Sequence, residues 1–320
     1  MDPVEEYPSY IGEIFYCFCA NIRSTAPRKD QKTNMLSIAD GIYYQDVYAG
    51  VVLGAVILPE GTLVIDTPFR PDQARAWKSL SLSQSQGKFH ILINLDEHVD
   101  RTLGNRYIDL PILAQHNTYH VIANRTNIFK GQQPETGSEW EKYPEMIGAR
   151  WTLPDITFTE SMSINWSKTT INIDHRPGPA SGTSWVEIPE KQVIFVGDSV
   201  LQNEPPFLAE ADIPLWLENL SILRRRKYKD YTIVSGRSGL VSNETIKYQQ
   251  ALLRSILGRL DRLAKRNAPP KETVKMVPAL LEKLDFPQKD ESVYSQRLKY
   301  GLREYYKNHY ENPDESIQES

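Results

Sequence analysis

The chain has 320 residues, of which 40% are hydrophobic, 10% aromatic and 24% charged. This balance is typical of a globular protein and excludes a mostly disordered chain. The formal net charge of -4 provides no overall basic field, so we expect no nucleic-acid partner.

The N-terminal residues predict neither export nor a membrane anchor. The apolar stretch at 14–22 is shorter than the ~20 residues of a membrane span, and acidic residues precede it where a secretory signal would be basic. The two cysteines, Cys17 and Cys19, offer no disulfide framework and favour a reducing cytoplasm. Because residues 1–34 lack a turn-bounded strand pattern, we predict a loosely attached extension there.

A hairpin and a strand–helix–strand unit are predicted for the first half of the domain. Two apolar runs around Pro59-Glu60-Gly61 indicate the hairpin, and Pro71 is typical of the first turn of a helix. In chain order we predict strands at 36–44, 51–58 and 62–65, a helix at 71–80 and a strand at 90–94.

The second half is predicted to be mainly antiparallel sheet. Before it, a helix is predicted after Pro111. His116 and His120 flank this helix, and we interpret them as surface residues or as neighbours of a site, and not as ligands. The strand patterns lie at 156–158, 162–166, 170–173, 185–188, 193–196 and 231–234, with an amphipathic helix at 213–225.

A helical extension is predicted at residues 243–311, and a polar tail at 312–320. Ser242 and Thr245 provide a capping pattern at its start, and leucine and isoleucine residues follow at helical spacing. This apolar stripe is expected to pack against the main domain or a partner subunit, so a homo-oligomer through these helices is predicted.

The most informative stretch joins a buried strand to a loop dense in ionisable groups. It contains Asp96, His98, Asp100 and Arg101, and Gly104 follows. This stretch resembles the metallo-β-lactamase superfamily signature His-x-His-x-Asp-His followed by glycine. His98 and Asp100 match the signature, whereas aspartate and arginine stand in place of its first and last histidines.

Four other landmarks occur in the order of that family. They are Val64-Ile65-Asp66-Thr67, the segment from His175 to Gly182, Val193 to Asp198, and Val234-Ser235-Gly236-Arg237. The resemblance implies an α/β protein with a four-layer αββα sandwich at residues 35–242, followed by the C-terminal helices.

Members with two metals use five histidines and two aspartates. Carried over position by position, the seven ligands become Asp96, His98, Asp100, Arg101, Pro179, Asp198 and Arg237. Proline has no side-chain donor, and a guanidinium has no lone pair to offer a metal. We therefore do not expect ordinary two-zinc hydrolysis, and the chain is a pseudoenzyme candidate.

One functional hypothesis is that arginines take the place of the metals. Converging aspartates repel one another unless something positive lies among them, and Arg101 and Arg237 could each bind a carboxylate in bidentate fashion. The cluster would then need no cofactor. It would either serve a structural or interaction role or bind a small anionic ligand through Arg101, Arg237 and His175.

The alternative is an active hydrolase with one divalent metal ion. Asp96, His98 and Asp198 could supply three ligands for manganese, zinc or iron, with His175 as a substitute. The metal would activate water against an ester, thioester or phosphoester. Asp100, Arg101 and Arg237 are the catalytic candidates, because a guanidinium could stabilise the developing oxyanion.

Overall fold

The computed structural model describes residues 34–131, 135–166 and 168–311. The predicted extension at 1–34, apart from its last residue, and the tail at 312–320 lie outside these ranges. Within the described ranges, no helix is long and apolar enough to cross a membrane.

The described strands form two sheets. The strands are β1 (Leu36–Ala39), β2 (Ile42–Gln45), β3 (Leu53–Leu58), β4 (Gly61–Ile65), β5 (Phe89–Asn94), β6 (Ile112–Gln115), β7 (Ile156–Phe158), β8 (Ser161–Trp166), β9 (Thr169–His175), β10 (Ser184–Ile188), β11 (Val193–Phe195), β12 (Thr232–Ser235) and β13 (Gly239–Val241). The first sheet has the order β1 to β7 and the second the order β13 to β8. Pairing is parallel from β4 to β7 and between β11 and β12, and antiparallel elsewhere.

Helices cover the outer faces of both sheets. The described helices are α1 (Pro71–Ser83), α2 (Val99–Thr102), α3 (Asn105–Ile108), α4 (His116–Ala123), α5 (Ile213–Leu223), α6 (Asn243–Ala264), α7 (Val277–Leu281) and α8 (Glu291–Tyr310). Trp77 of α1 packs with Leu92 on the outer face of the first sheet. Trp216 of α5 packs with Ile194 on the outer face of the second. The inner faces share a further apolar core between the sheets, so the predicted four-layer sandwich is confirmed.

Two predictions in the first sheet were wrong. The single strand predicted at 36–44 is two strands, because the chain turns at Gly41, whose φ is +75°; a Cβ there would lie 2.6 Å from the Ile57 carbonyl oxygen. The segment after Pro111 begins as β6, a short buried strand, and the helix starts at His116, so that both predicted flanking histidines lie inside it. Periodicity cannot distinguish a short buried strand from a buried helical turn.

The C-terminal helices share a core with the second sheet. The capping box of Ser242 and Thr245 starts α6 as predicted, and Leu253 of this helix is completely buried with Trp216 and Leu302 of α8. The middle of the predicted helical extension is mostly a 3-10 turn, Pro270–Met276, followed by the short α7. The apolar stripe therefore packs against the main domain of the same chain.

Candidate functional site

The ends of four parallel strands bring the ionisable groups together. Asp66 follows β4 and Asp96 lies just after β5, while Asp198 and Arg237 lie in the turns after β11 and β12. Because β4 pairs with β5 and β11 pairs with β12 in parallel, each pair delivers its carboxyl ends to one edge of its sheet. The sandwich places these two edges face to face.

Arg101 lies at the centre of this edge and is completely buried. Its guanidinium contacts three carboxylates: Nη1 lies 3.0 Å from Asp66 Oδ2, Nε lies 3.0 Å from Asp96 Oδ1, and Nη2 pairs with Asp198 Oδ1. The contact with Asp96 is an ion pair without hydrogen-bond geometry, since Nε has no hydrogen-bond partner in the described part of the chain. One cation therefore joins groups from both sheets.

Arg237 makes a second set of contacts, and its side chain is 2% exposed. Nε donates to Asp198 Oδ2 at 2.8 Å, Nη1 to Asp100 Oδ2 at 3.0 Å, and Nη2 to His98 Nδ1 at 2.9 Å. The backbone N–H of Trp140 also donates to Asp100, at 3.0 Å. We call the two arginines and the four aspartates the arginine–aspartate cluster.

The cluster corrects two details of the sequence interpretation. The prediction that each arginine pairs with one carboxylate in bidentate fashion was wrong, because each guanidinium bridges several groups. Asp66 was not among the predicted site residues, although it belonged to a recognised landmark. Its Oδ1 also accepts from the Leu95 N–H at 2.9 Å, so it ties the first sheet to the loop that carries Arg101.

Burial and the two guanidiniums set the protonation of the aspartates. Burial raises the pKa of Asp66 to about 6 and that of Asp96 to about 7, although Arg101 opposes both shifts. Burial would also raise the pKa of Asp198, but Arg101 and Arg237 together hold it well below its ordinary range. Burial also raises the pKa of Asp100, against the opposing effects of Arg237 and the Trp140 N–H. Asp198 is thus the fixed anion of the cluster, whereas the other three aspartates take up protons more readily than free aspartates do.

His98 is a neutral imidazole with a defined tautomer. Its Nδ1 accepts from the Asp100 N–H at 3.2 Å and from Arg237 Nη2 at 2.9 Å. Arginine has no acceptor atom, so Nδ1 must carry the lone pair and Nε2 the proton. Burial and the charge of Arg237 keep the pKa of His98 well below 6.5, which agrees with this assignment.

The three predicted metal ligands do not fit a divalent ion in this arrangement. Arg101 lies between Asp96 and Asp198, and Arg237 lies between His98 and Asp198. Within the described ranges, no group of three or more histidine, cysteine, aspartate or glutamate side chains is placed to hold a metal. The position where a metal would be coordinated is taken by guanidinium groups, which cannot ligate one.

His175, the predicted substitute ligand, lies at the end of β9. Its Nε2 pairs with the carbonyl oxygen of Ser181 at 2.8 Å. This contact orders the loop that contains Pro179, and Pro179 lines a neighbouring cavity. The structure thus gives His175 a local partner in its own loop.

The cavity beside the cluster has a volume of about 370 Å³. His98 and Phe207 form part of its wall, and Arg297 and Tyr300 of α8 contribute another part. The Phe207 ring contacts the His98 ring, with centroids 4.4 Å apart, and lies 4.6 Å from the Arg237 guanidinium and 4.0 Å from that of Arg297. The C-terminal extension therefore helps to enclose the site, which sequence patterns did not reveal.

A family model described as the metallo-beta-lactamase superfamily matches residues 50–237, which is more than half of the chain. The chain therefore belongs to the metallo-β-lactamase superfamily. The match begins ahead of β3 and ends at Arg237, so it contains every member of the arginine–aspartate cluster.

Solved structures show the same fold at low sequence identity. A metallo-beta-lactamase from Pontibacter korlensis matches with a TM-score of 0.52 and 17% identity, covering 69% of this chain and 98% of that one. A stereoselective inverting sec-alkylsulfatase from Pseudomonas sp. matches with a TM-score of 0.62 and 13% identity, covering 90% of this chain and 52% of that one. This chain thus spans about half the length of the sulfatase.

Proposed function

We propose that this protein is a metal-independent member of its superfamily, which binds a small molecule in the cavity beside the arginine–aspartate cluster. The observation that carries the proposal is the position of Arg101, completely buried and in contact with Asp66, Asp96 and Asp198. A fixed guanidinium supplies the positive charge that converging carboxylates require.

The cluster holds the loops around the cavity in place without a cofactor. Asp198 binds one arginine through each of its carboxylate oxygens, and Asp66 links the first sheet to Arg101. Such multiply bonded groups are expensive to separate, because removing one partner leaves a buried charge. The cavity wall that contains His98 is consequently rigid, which favours binding of a ligand of defined shape.

The hydrolase with one metal ion is less favoured by the same contacts. To reach Asp96, His98 and Asp198, a metal would have to displace both Arg101 and Arg237 from the carboxylates that they bridge. The displaced guanidiniums would then be buried without partners, and leaving a buried charge unpaired costs about 3–5 kcal/mol. The candidate catalytic groups Asp100, Arg101 and Arg237 are also buried and engaged in ion pairs within the cluster, which leaves neither of these two guanidiniums free to meet an oxyanion.

Metal analysis tests the proposal directly. Protein prepared without chelator should contain no stoichiometric manganese, zinc or iron, and adding these ions at millimolar excess should leave the melting temperature unchanged. A bound ion would raise it by mass action. Stoichiometric metal together with metal-dependent stabilisation would overturn the proposal and favour the hydrolase.

A further inference from the structure

The wall of the cavity is mainly apolar. Val99, Val121, Pro179 and Leu208 line it together with the ring of Phe207. A cavity of about 370 Å³ lies at the small end of the range for small-molecule sites, in which apolar walls supply affinity and a few polar groups fix orientation. The polar groups on the wall therefore determine which ligands it accepts.

His98 presents a hydrogen-bond donor of fixed identity. Its Nδ1 is occupied by the Asp100 N–H and by Arg237, so its proton is on Nε2. Within the ranges that the structure describes, Nε2 has no hydrogen-bond partner, and the ring is 17% exposed and lines the cavity. A ligand in the cavity can satisfy this N–H with an acceptor atom.

The guanidiniums around the cavity are already engaged. Arg297 donates to the Gly137 carbonyl oxygen at 3.0 Å and to Glu204 at 3.1 Å. Arg125 donates to the Glu97 carbonyl oxygen at 2.9 Å, and its guanidinium lies 4.5 Å from the ring centroid of Trp151. Both cations therefore already share their charge with acceptor atoms or an aromatic ring, and Nη1 of Arg125, which has no hydrogen-bond partner in the described part of the chain, is buried.

The local charge balance also disfavours an anion. Four guanidiniums lie in the cluster and the cavity wall, against seven carboxyl groups. The guanidiniums are those of Arg101, Arg125, Arg237 and Arg297; the carboxyl groups are those of Asp66, Asp96, Asp100 and Asp198, of Glu97 and Glu210 on the wall, and of Glu204, which pairs with Arg297. Even if Asp66 and Asp96 each hold a proton, five carboxylates remain against the four guanidiniums. The cavity therefore offers no surplus positive charge to a carboxylate or phosphate.

We propose that the cavity takes a small, uncharged and largely apolar molecule, whose carbonyl or similar oxygen accepts a hydrogen bond from His98 Nε2–H. This inference rests on the proposed metal-independent binding function, and it replaces the anionic ligand expected from the sequence. The apolar part of the ligand packs between Val121, Leu208 and Phe207, and Tyr300 of α8 lies on the same wall.

Matched probes that differ in charge test the class of ligand. Benzamide and acetophenone are uncharged, whereas benzoate has the same ring and one negative charge. Calorimetry or protein-observed NMR at pH 7.5 should give affinities at least about tenfold higher for the uncharged probes, which corresponds to about 1.4 kcal/mol. The tautomer-locked His98 Nε2–H resonance should shift when benzamide binds.

Three variants locate the interaction. His98→Leu should weaken benzamide binding about tenfold because the donor is lost, and His98→Gln, which can accept from Arg237 and still donate, should restore most of the affinity. Val121→Phe should block binding by filling the cavity. Circular dichroism melts show whether each variant is folded, and Val121→Phe gives a second test if His98→Leu is not.

Several outcomes would overturn this inference. They are benzoate binding at least as tightly as benzamide, no binding of either uncharged probe, and binding that is indifferent to both the His98 variants and Val121→Phe. Metal analysis of the same preparation separates the two proposals. Metal-free protein that prefers benzoate would contradict the ligand class alone, whereas stoichiometric metal would contradict the proposed function.

Discussion

Arg237 and Asp198 form an ion pair of 2.8 Å between Nε and Oδ2, with side chains only 2% and 6% exposed. The pair lies where the last landmark of the family signature meets the turn after β11. An ion pair exposed to solvent contributes little to the stability of the fold. In this buried pair, neither charge can be hydrated if the other is removed. The stability of this edge of the fold therefore depends on charge balance.

Arg237→Ala should lower the free energy of unfolding by about 3–5 kcal/mol at pH 7.5. The reason is that Asp198 and Asp100 each lose a partner in a buried site. Chemical denaturation measures the loss. Arg70→Ala is the matched control, since its pair with Asp72 is exposed and should be worth less than about 1 kcal/mol. Equal losses in the two variants would contradict the charge-replacement argument.

The stability that Arg237→Ala loses relative to the parent protein should become smaller as pH falls. Without the guanidinium Asp100 loses its cation, so its folded-state pKa, which burial already raises, rises further above the unfolded value. The variant therefore regains stability when that carboxyl is protonated in the folded state. Thermal melts of the parent and the variant between pH 4.5 and 8 measure the difference. A deficit that stays constant over this range would show that lost packing, and not an unpaired charge, is the cause.

Asp96 and Asp66 should make the parent protein more stable in mild acid. Their folded-state pKa values, about 7 and about 6, lie above the unfolded value, so their contribution is complete near pH 4 and is lost as pH rises towards 7. The slope for one such group is at most about 1.4 kcal/mol per pH unit. Asp96→Asn should flatten this dependence, and Asp72→Asn at an exposed site should leave it unchanged. An unaltered slope in Asp96→Asn would sink this assignment.

Replacing both arginines by histidine should create metal affinity. Arg101→His with Arg237→His removes the two cations and adds two imidazoles beside Asp96, His98 and Asp198, which together form a set of oxygen and nitrogen donors for zinc or manganese. We expect a metal-dependent rise in melting temperature in the double variant and none in the parent. If the folded double variant takes up no metal, the guanidiniums are not what excludes it.

The C-terminal helices should be essential for folding. Leu253→Ala should cost about 2–5 kcal/mol, because this side chain is completely buried in the core shared with Trp216. Leu240→Ala is the control, since Leu240 is 47% exposed and should have little effect. Removal of residues 243–320 should give insoluble protein, because it uncovers the same core. A soluble, monodisperse protein from that truncation would refute the prediction.

The order of strand-end landmarks was enough to predict the fold. Asp66 and Asp198 each follow an apolar strand, and the αββα architecture brings such strand ends to one edge. Each of these motifs can be recognised from a few neighbouring residues. The loss of ordinary ligands was equally visible, because a guanidinium or a proline at a ligand position is excluded by its chemistry. These conclusions needed residue types and order alone.

The tertiary structure decided which groups meet. Arg101 and Asp198 are 97 positions apart, and nothing in local periodicity states that one guanidinium bridges three carboxylates instead of pairing with one. The same holds for Arg297, which helix α8 brings to Phe207, and for the tautomer of His98, which depends on its contact with Arg237. Periodicity predicts the face of an element that is buried, whereas its partner across the interface is set by how sheets and helices pack.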